Sequence, residues 1–95
     1  MNRVTGHVRT LHGAKYVQQL CKHWAHKLEV EQDGDTGIVR FPAGVATMVA
    51  NEGELSIIIE ANDEASVGRL KEVVASHLDR FAFREAPLPF VWTAT

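Results

Sequence analysis

The sequence predicts an α+β fold. We expect a two-layer sandwich, β-α-β-β-β-β-α, in which two helices cover one face of a mostly antiparallel, five-stranded sheet. Two observations carry this prediction. Apolar residues recur with a period near 3.6 around residues 13–27 and 63–83, and with a period of two in the segments before and between them. Short clusters of turn-forming residues separate the period-two segments, as in an antiparallel meander.

The first strand and the first helix occupy the N-terminal quarter of the chain. Arg3 to Thr10 alternates as a strand, and Gly6 on its inner face predicts a bend or the close approach of a helix. Gly13 to Lys27 is predicted to be helical. Its apolar face repeats at i, i+3, i+4, i+7 and i+11, namely at Val17, Leu20, Cys21, Trp24 and Leu28.

The next four strands are separated by turns. Predicted strands cover 28–32, 38–41, 45–50 and 55–61. The turns between them are assigned to 33–37, 42–44 and 51–53.

The second helix and a tail complete a single predicted domain, residues 1–95. Asn62 or Asp63 caps a helix that runs to about Phe83. Prolines then forbid continuation, so 86–95 is predicted to be an extended tail. Arg80 and Glu85 are expected to pair with this tail or with the first helix. The same order of elements occurs in one half of the TATA-binding protein and in the C-terminal domain of phosphohexomutases, a likeness of topology that implies neither DNA binding nor sugar chemistry.

The face of the sheet away from the helices is expected to be partly apolar. Ile58 points away from its neighbours Ile57 and Ile59, and Met48 or Val39 is expected to join it. Either the tail, through Phe90 and Trp92, or a second subunit would cover this face. We expect a homodimer, with cover by the tail as the alternative.

Composition excludes several classes of function. The 95-residue chain has a net charge of −2 and ten scattered Lys and Arg residues, which argues against nucleic acid as a partner. No apolar stretch is long enough to span a membrane. The N-terminus shows no secretion signal, and a lone cysteine suits a reducing compartment, so we expect a cytoplasmic protein.

A metal site is one hypothesis for the cluster formed by Cys21, His23 and His26. On a helix, Cys21 and His23 point about 160° apart, and Cys21 belongs to the apolar face. Only His23 and His26, at i and i+3, could share one ion, and other ligands would have to complete the site. The alternative is a buried thiol flanked by two surface histidines.

A second feature is a stripe along the flank of the first helix. We call it the histidine stripe: His12, Tyr16, Gln19, His23 and His26, spaced i, i+4, i+7, i+11 and i+14. Such a row predicts a groove for a polar ligand or partner chain. A solvated helix flank is the alternative.

His77 falls within the apolar face of the second helix, beside Val74, Leu78 and Phe81. It is either a hydrogen-bonded core histidine or a pocket residue that binds a ligand or metal or transfers a proton. The candidate ligand-binding residues are therefore His12, Tyr16, Gln19, His23 and His77. No Ser/His/Asp arrangement, phosphate loop or Cys-x-x-Cys pattern supports a particular enzyme.

Two segments carry a family resemblance. Residues 20–27, LCKHWAHK, and 74–85, VASHLDRFAFRE, resemble the bacterial domain of unknown function 2218 family (DUF2218), and the resemblance extends over nearly the whole chain. Related domains occur beside or joined to siderophore-interacting flavin reductases. The resemblance therefore implies a link to iron acquisition and such a reductase as partner, and it assigns no role to individual residues.

These observations favour a non-enzymatic binding or accessory protein of the bacterial cytoplasm, linked to iron or siderophore handling by the resemblance alone. One alternative is a metal-binding protein using His23 and His26, with or without His77, and a transition metal as its cofactor. The other is a small enzyme with His77 as its base, which requires a carboxylate or hydroxyl partner for that ring.

Overall fold

Six strands and two helices make up the part of the chain that the computed structural model describes, residues 2–85 and 88–94. They follow the order β1 (Asn2–Arg9), α1 (Gly13–Trp24), β2 (Glu29–Asp33), β3 (Thr36–Phe41), β4 (Gly44–Asn51), β5 (Glu54–Ala61), α2 (Glu64–Phe81) and β6 (Val91–Ala94). The strands form one sheet in the order β2-β3-β4-β5-β1-β6, and every neighbouring pair is antiparallel.

The predicted α+β class and antiparallel sheet are confirmed, but the predicted number of strands is wrong. Part of the expected tail, Val91–Ala94, pairs with β1 as a sixth strand. Residues 86, 87 and 95 of that tail lie outside the described residues. The likeness to the TATA-binding-protein half stays a prediction.

Tight turns set which side chains share a face. β4 and β5 are joined by a two-residue turn whose second residue, Gly53, has a φ of 76°, a conformation that glycine adopts at little cost. The resulting register places Met48 opposite Ile57 and Ala46 opposite Ile59. These side chains are fully buried beneath the helices. Val39 pairs with Ala46 on the same face, so the expectation that Met48 or Val39 would accompany Ile58 is wrong.

The tail also lies on the helix side. Trp92 is opposite Gly6 in β1, and its ring stacks with Phe90. The ammonium group of Lys71, on α2, lies 5.2 Å from the centre of the Trp92 ring. Phe90 and Trp92 pack against the core, so they do not cover the face that carries Ile58. The close neighbour that Gly6 admits is this indole ring rather than a helix.

The helix ends are fixed by backbone and cap hydrogen bonds. α1 ends at Trp24, three residues before the predicted Lys27, because the N–H groups of Lys27 and Leu28 both bond to the carbonyl of Trp24 and turn the chain into β2. Asp63 caps α2 by accepting the N–H of Ser66 at 2.7 Å, and this bond lowers the pKa of Asp63. Neither helix in the described ranges has the length and apolar character to cross a membrane.

Candidate ligand site between the two helices

The histidine stripe lies largely along the seam between α1 and the C-terminal half of α2. Tyr16, near the start of α1, contacts Glu85, just after α2. His23, at the other end of α1, contacts His77 and Phe81. His77 and Phe81 lie one helical turn apart on α2, and Glu85 lies in the turn that follows the helix, so the end of α2 and the turn after it meet the stripe.

Hydrogen bonds close one end of this seam. The hydroxyl of Tyr16 donates to the Glu85 carboxylate, and the hydroxyl of Thr10 donates to the same carboxylate at 3.0 and 3.1 Å. Burial, together with the hydrogen bond and negative charge of Glu85, raises the pKa of Tyr16 to about 12. His12 stays exposed, with its ring 6.2 Å from that of Tyr16. The expected pairing of Glu85 with the first helix is confirmed.

An unsatisfied polar atom lies in the middle of the stripe. The side-chain oxygen of Gln19 is buried and has no hydrogen-bond partner. An unpaired buried acceptor costs about 1–3 kcal/mol, a cost that a hydrogen bond from water or from a ligand would remove. Gln19 is one turn from Tyr16 and one turn from His23, which places it between the two ends of the seam.

Two imidazole rings meet at the other end. The rings of His23 and His77 have centroids 5.4 Å apart. Nδ1 of His77 is 2.7 Å from the carbonyl oxygen of Val73. Because a carbonyl oxygen only accepts, Nδ1 carries a proton, so in the neutral form of the ring the lone pair lies on Nε2. The indole of Trp24 packs 5.4 Å from His77, and Phe81 packs 5.8 Å from His23.

His26 and Cys21 lie apart from this pair. His26 lies in the turn after α1, beyond the helical spacing that would have paired it with His23, and both side chains are exposed. No hydrogen bond or ring contact of the described residues joins the two. Cys21 is buried as the sequence predicts, and its burial raises the pKa of the thiol.

The described residues at the seam form neither a complete metal cage nor an acid-base pair. Across 2–85 and 88–94, no group of three or more His, Cys, Asp or Glu side chains is placed to hold one ion. The hydrogen-bond partner of His77 is a backbone carbonyl rather than the carboxylate or hydroxyl expected for the enzyme alternative. A ligand bound here must therefore bring further donor atoms of its own.

The comparisons with known proteins identify the family. A family model described as "Uncharacterized protein conserved in bacteria (DUF2218)" matches residues 5–93. The chain belongs to the DUF2218 family. A solved structure, "NMR structure of PA4090 from Pseudomonas aeruginosa", is similar to this DUF2218 chain with 39% sequence identity and a TM-score of 0.85, covering 98% of this chain and 96% of that one. No curated protein matches it.

The sequence predicted the α1 side of the DUF2218 seam but not all of the residues that meet it from α2 and the turn after α2. The two segments that carry the family resemblance, 20–27 and 74–85, include the rings that meet at His23 and His77. Phe81 and Glu85 were not singled out as site residues. The four-residue spacing of Phe81 from His77 was the available signal for Phe81, since it places both on one flank of α2; Glu85 lies beyond the helix, where that spacing does not apply.

Proposed function

We propose that this DUF2218 domain is a non-enzymatic binding domain that holds a transition-metal ion, bound to a small chelating ligand, at the seam between α1 and α2. The observation that carries the proposal is the His23–His77 pair, in which the Val73 carbonyl fixes the tautomer of His77. Metal-binding histidines commonly donate their other ring nitrogen to such an acceptor, which orients the ligating lone pair.

The ring spacing fits a shared ion. Two imidazoles on a tetrahedral ion have centroids about 5 Å apart when each metal–nitrogen bond is about 2.0–2.1 Å. The 5.4 Å between His23 and His77 is close to that value. Neutral imidazole suits zinc, copper, nickel and ferrous iron.

A chelated ion fits better than a bare one. Two imidazoles leave coordination positions that water or another molecule must fill. The buried oxygen of Gln19, one turn from His23, supplies an acceptor for an N–H or O–H group of that molecule. The link to iron handling and a flavin-reductase partner rest on the family resemblance alone, whereas the cytoplasmic location rests on the N-terminal sequence and the lone cysteine; all three are part of this proposal.

The direct test is a metal titration of protein without a polyhistidine tag. Zinc and ferrous iron are added separately while the histidine ring signals are followed by NMR. We expect specific shifts of His23 and His77, with His26 unaffected. Acidification should weaken binding because a protonated imidazole cannot coordinate.

Matched variants make the titration decisive. His23→Ala and His77→Ala should each weaken binding by at least about tenfold, whereas His26→Ala, a histidine just outside the pair, should bind as the parent does. Equal losses in all three variants would indicate scattered surface binding. The absence of specific shifts in the parent protein at stoichiometric metal would overturn the proposal.

A further inference from the structure

The open face of the sheet, the one without helices, has its charges sorted by strand. On this face β1 presents Arg3, His7 and Arg9. β2, four places away in the sheet, presents only acids. The acids are Glu29, Glu31 and Asp33.

Aliphatic side chains lie between the basic and the acidic strand. Ile58 pairs with Thr47, and Thr47 pairs with Ile38, along one row of the open face. Val45 and Val49 lie in the rows on either side. All five are partly buried although no described element covers them. The strip is therefore β-branched at its centre, apolar apart from the hydroxyl of Thr47, and charged at its sides.

We infer that a second copy of this chain docks on the open face, related by a two-fold axis that runs parallel to the strands. Rotation about such an axis lays the acidic β2 of each copy across β1 of the other, the strand that presents Arg3 and Arg9. It also lays the aliphatic strips on each other. A symmetric dimer requires a self-complementary surface, and this sorting of charge provides one.

Intrachain ion pairs leave the two sides unequal in charge. Near β2, Arg40 lies 3.3 Å from Glu29 and also contacts Glu31, so one arginine faces the acids of that strand. Near β1, Arg3 pairs with Glu60 at 3.5 Å, and His7 lies 3.1 Å from Glu54. The β2 side is thus net acidic and the β1 side is not, which favours the crossed arrangement over like on like.

The face is large enough for a stable contact. Strands lie about 4.8 Å apart and rise about 3.3 Å per residue, so this sheet presents a flat area on the order of 600 Å². Projecting side chains make the accessible surface of this face larger than its flat area, which brings it close to the roughly 800 Å² that a standard interface buries on each partner. Sheets that pack face to face in this way stay within about 30° of alignment.

Two charge-reversed variants test the inference. One carries Glu29→Lys with Glu31→Lys, and the other carries Arg3→Glu with Arg9→Glu. In a homodimer of either variant, like charges face each other, so self-association measured by sedimentation equilibrium should weaken by more than about a hundredfold. A one-to-one mixture should form a heterodimer, because opposite charges then meet on both sides.

Controls separate this interface from general effects of charge and folding. Glu64→Lys with Glu72→Lys makes the same charge change as the Glu29→Lys, Glu31→Lys variant, but on α2 and away from the open face. It should associate as the parent does. Far-UV circular dichroism checks that each variant folds. Thr47→Arg, at the centre of the strip, should also abolish association. It tests the same interface if either charge-reversed variant is unfolded.

Three outcomes would overturn the inference. The parent protein could be monomeric at high micromolar concentration in low salt. The Thr47→Arg variant could remain dimeric while folded, which would place the contact on another surface. The two reversed variants could stay separate when mixed. The metal site has no part in this test, so its success or failure is independent of the proposed function.

Discussion

The hydroxyl of Tyr16 donates a hydrogen bond to the carboxylate of Glu85, which lies 69 residues further along the chain. Thr10, at the end of β1, donates to the same carboxylate. One acid thus ties the C-terminal extension of α2 to the first strand and to the first helix. The bond also closes the seam at the end opposite His23 and His77.

The ionisation of Tyr16 should report this tie. Tyr16 is the only tyrosine in the chain, so the phenolate absorbance near 295 nm belongs to it alone. Its pKa is raised to about 12 by burial and by Glu85, while an unfolded tyrosine ionises near 10. We expect the absorbance to rise near pH 12 in the native protein and near pH 10 in urea.

The raised pKa of Tyr16 also makes the free energy of unfolding depend on pH. The native state holds the Tyr16 proton more tightly than the unfolded state, so this contribution is complete below pH 10 and is lost as the pH rises to about 12. The loss is on the order of 2–3 kcal/mol. Tyr16→Phe should remove this pH dependence and destabilise the protein by about 1–2 kcal/mol. Native ionisation near pH 10 would show that the bond to Glu85 is not formed in solution.

The turns decided how far the sequence could predict the fold. Assigning three residues, 51–53, to the turn before β5 would pair Ala50 with Glu54, whereas the structure pairs Asn51 with Glu54 across a two-residue turn. A slip of one residue moves every side chain of a strand to the other face. This is why Met48 was expected beside Ile58. Periodicity identified the helices and the first five strands, but it could not set their register.

The sixth strand and the seam depended on contacts between distant residues. β6 is four residues long and follows Pro89, so its own pattern is too short to distinguish a strand from a tail. Its pairing depends on space at Gly6 for the ring of Trp92. Likewise, the spacing of Tyr16, Gln19 and His23 predicted a shared flank. It could not indicate that His77 would face that flank, and for Glu85 the sequence left the tail and the first helix as alternative partners.

Replacing Gly6 by alanine should displace β6. A Cβ atom at Gly6 would lie 2.6 Å from the Trp92 ring, so the ring must move. The chain has two tryptophans, hence two indole N–H signals in an NMR spectrum. We expect Gly6→Ala to shift the Trp92 signal strongly and the Trp24 signal little.

Gly68→Ala is the matched control for that change. A Cβ atom at Gly68, on α2, has no neighbour within 4 Å. This variant should stabilise the protein by about 0.5–1 kcal/mol through helix propensity and leave both indole signals in place. If Gly6→Ala left the Trp92 signal unchanged, the pairing of β6 with β1 would be wrong.

Replacing His77 and replacing His26 should change the free energy of unfolding by different amounts, as well as metal binding. His77 is partly buried, bonds to the Val73 carbonyl and packs against Trp24. His77→Ala should therefore destabilise by about 1–3 kcal/mol in urea unfolding, because packing and a hydrogen bond are lost. His26→Ala should stay within about 0.5 kcal/mol of the parent, since its side chain is exposed. Similar losses in both would contradict the packing of His77 in the seam.

Cys21 and Gly37 should be coupled energetically. A Cβ atom on Gly37, in β3, would lie 2.5 Å from the Cys21 sulfur, so α1 approaches the sheet only because position 37 has no side chain. Gly37→Ala alone should cost about 1–3 kcal/mol through overpacking. Cys21→Ser should also cost stability because the thiol is buried and the hydroxyl would lack a partner.

A double-mutant cycle with Cys21→Ala tests that coupling. Removing the sulfur opens the space that the new methyl group needs, so the double variant should be more stable than the sum of the single losses predicts, by about 1 kcal/mol or more. Urea unfolding of the four proteins supplies the measurement. Reaction of the parent's Cys21 with a thiol reagent should be slow until the protein unfolds, because burial both shields the thiol and raises its pKa. Additive losses, or rapid reaction in the native state, would show that Cys21 does not pack against Gly37.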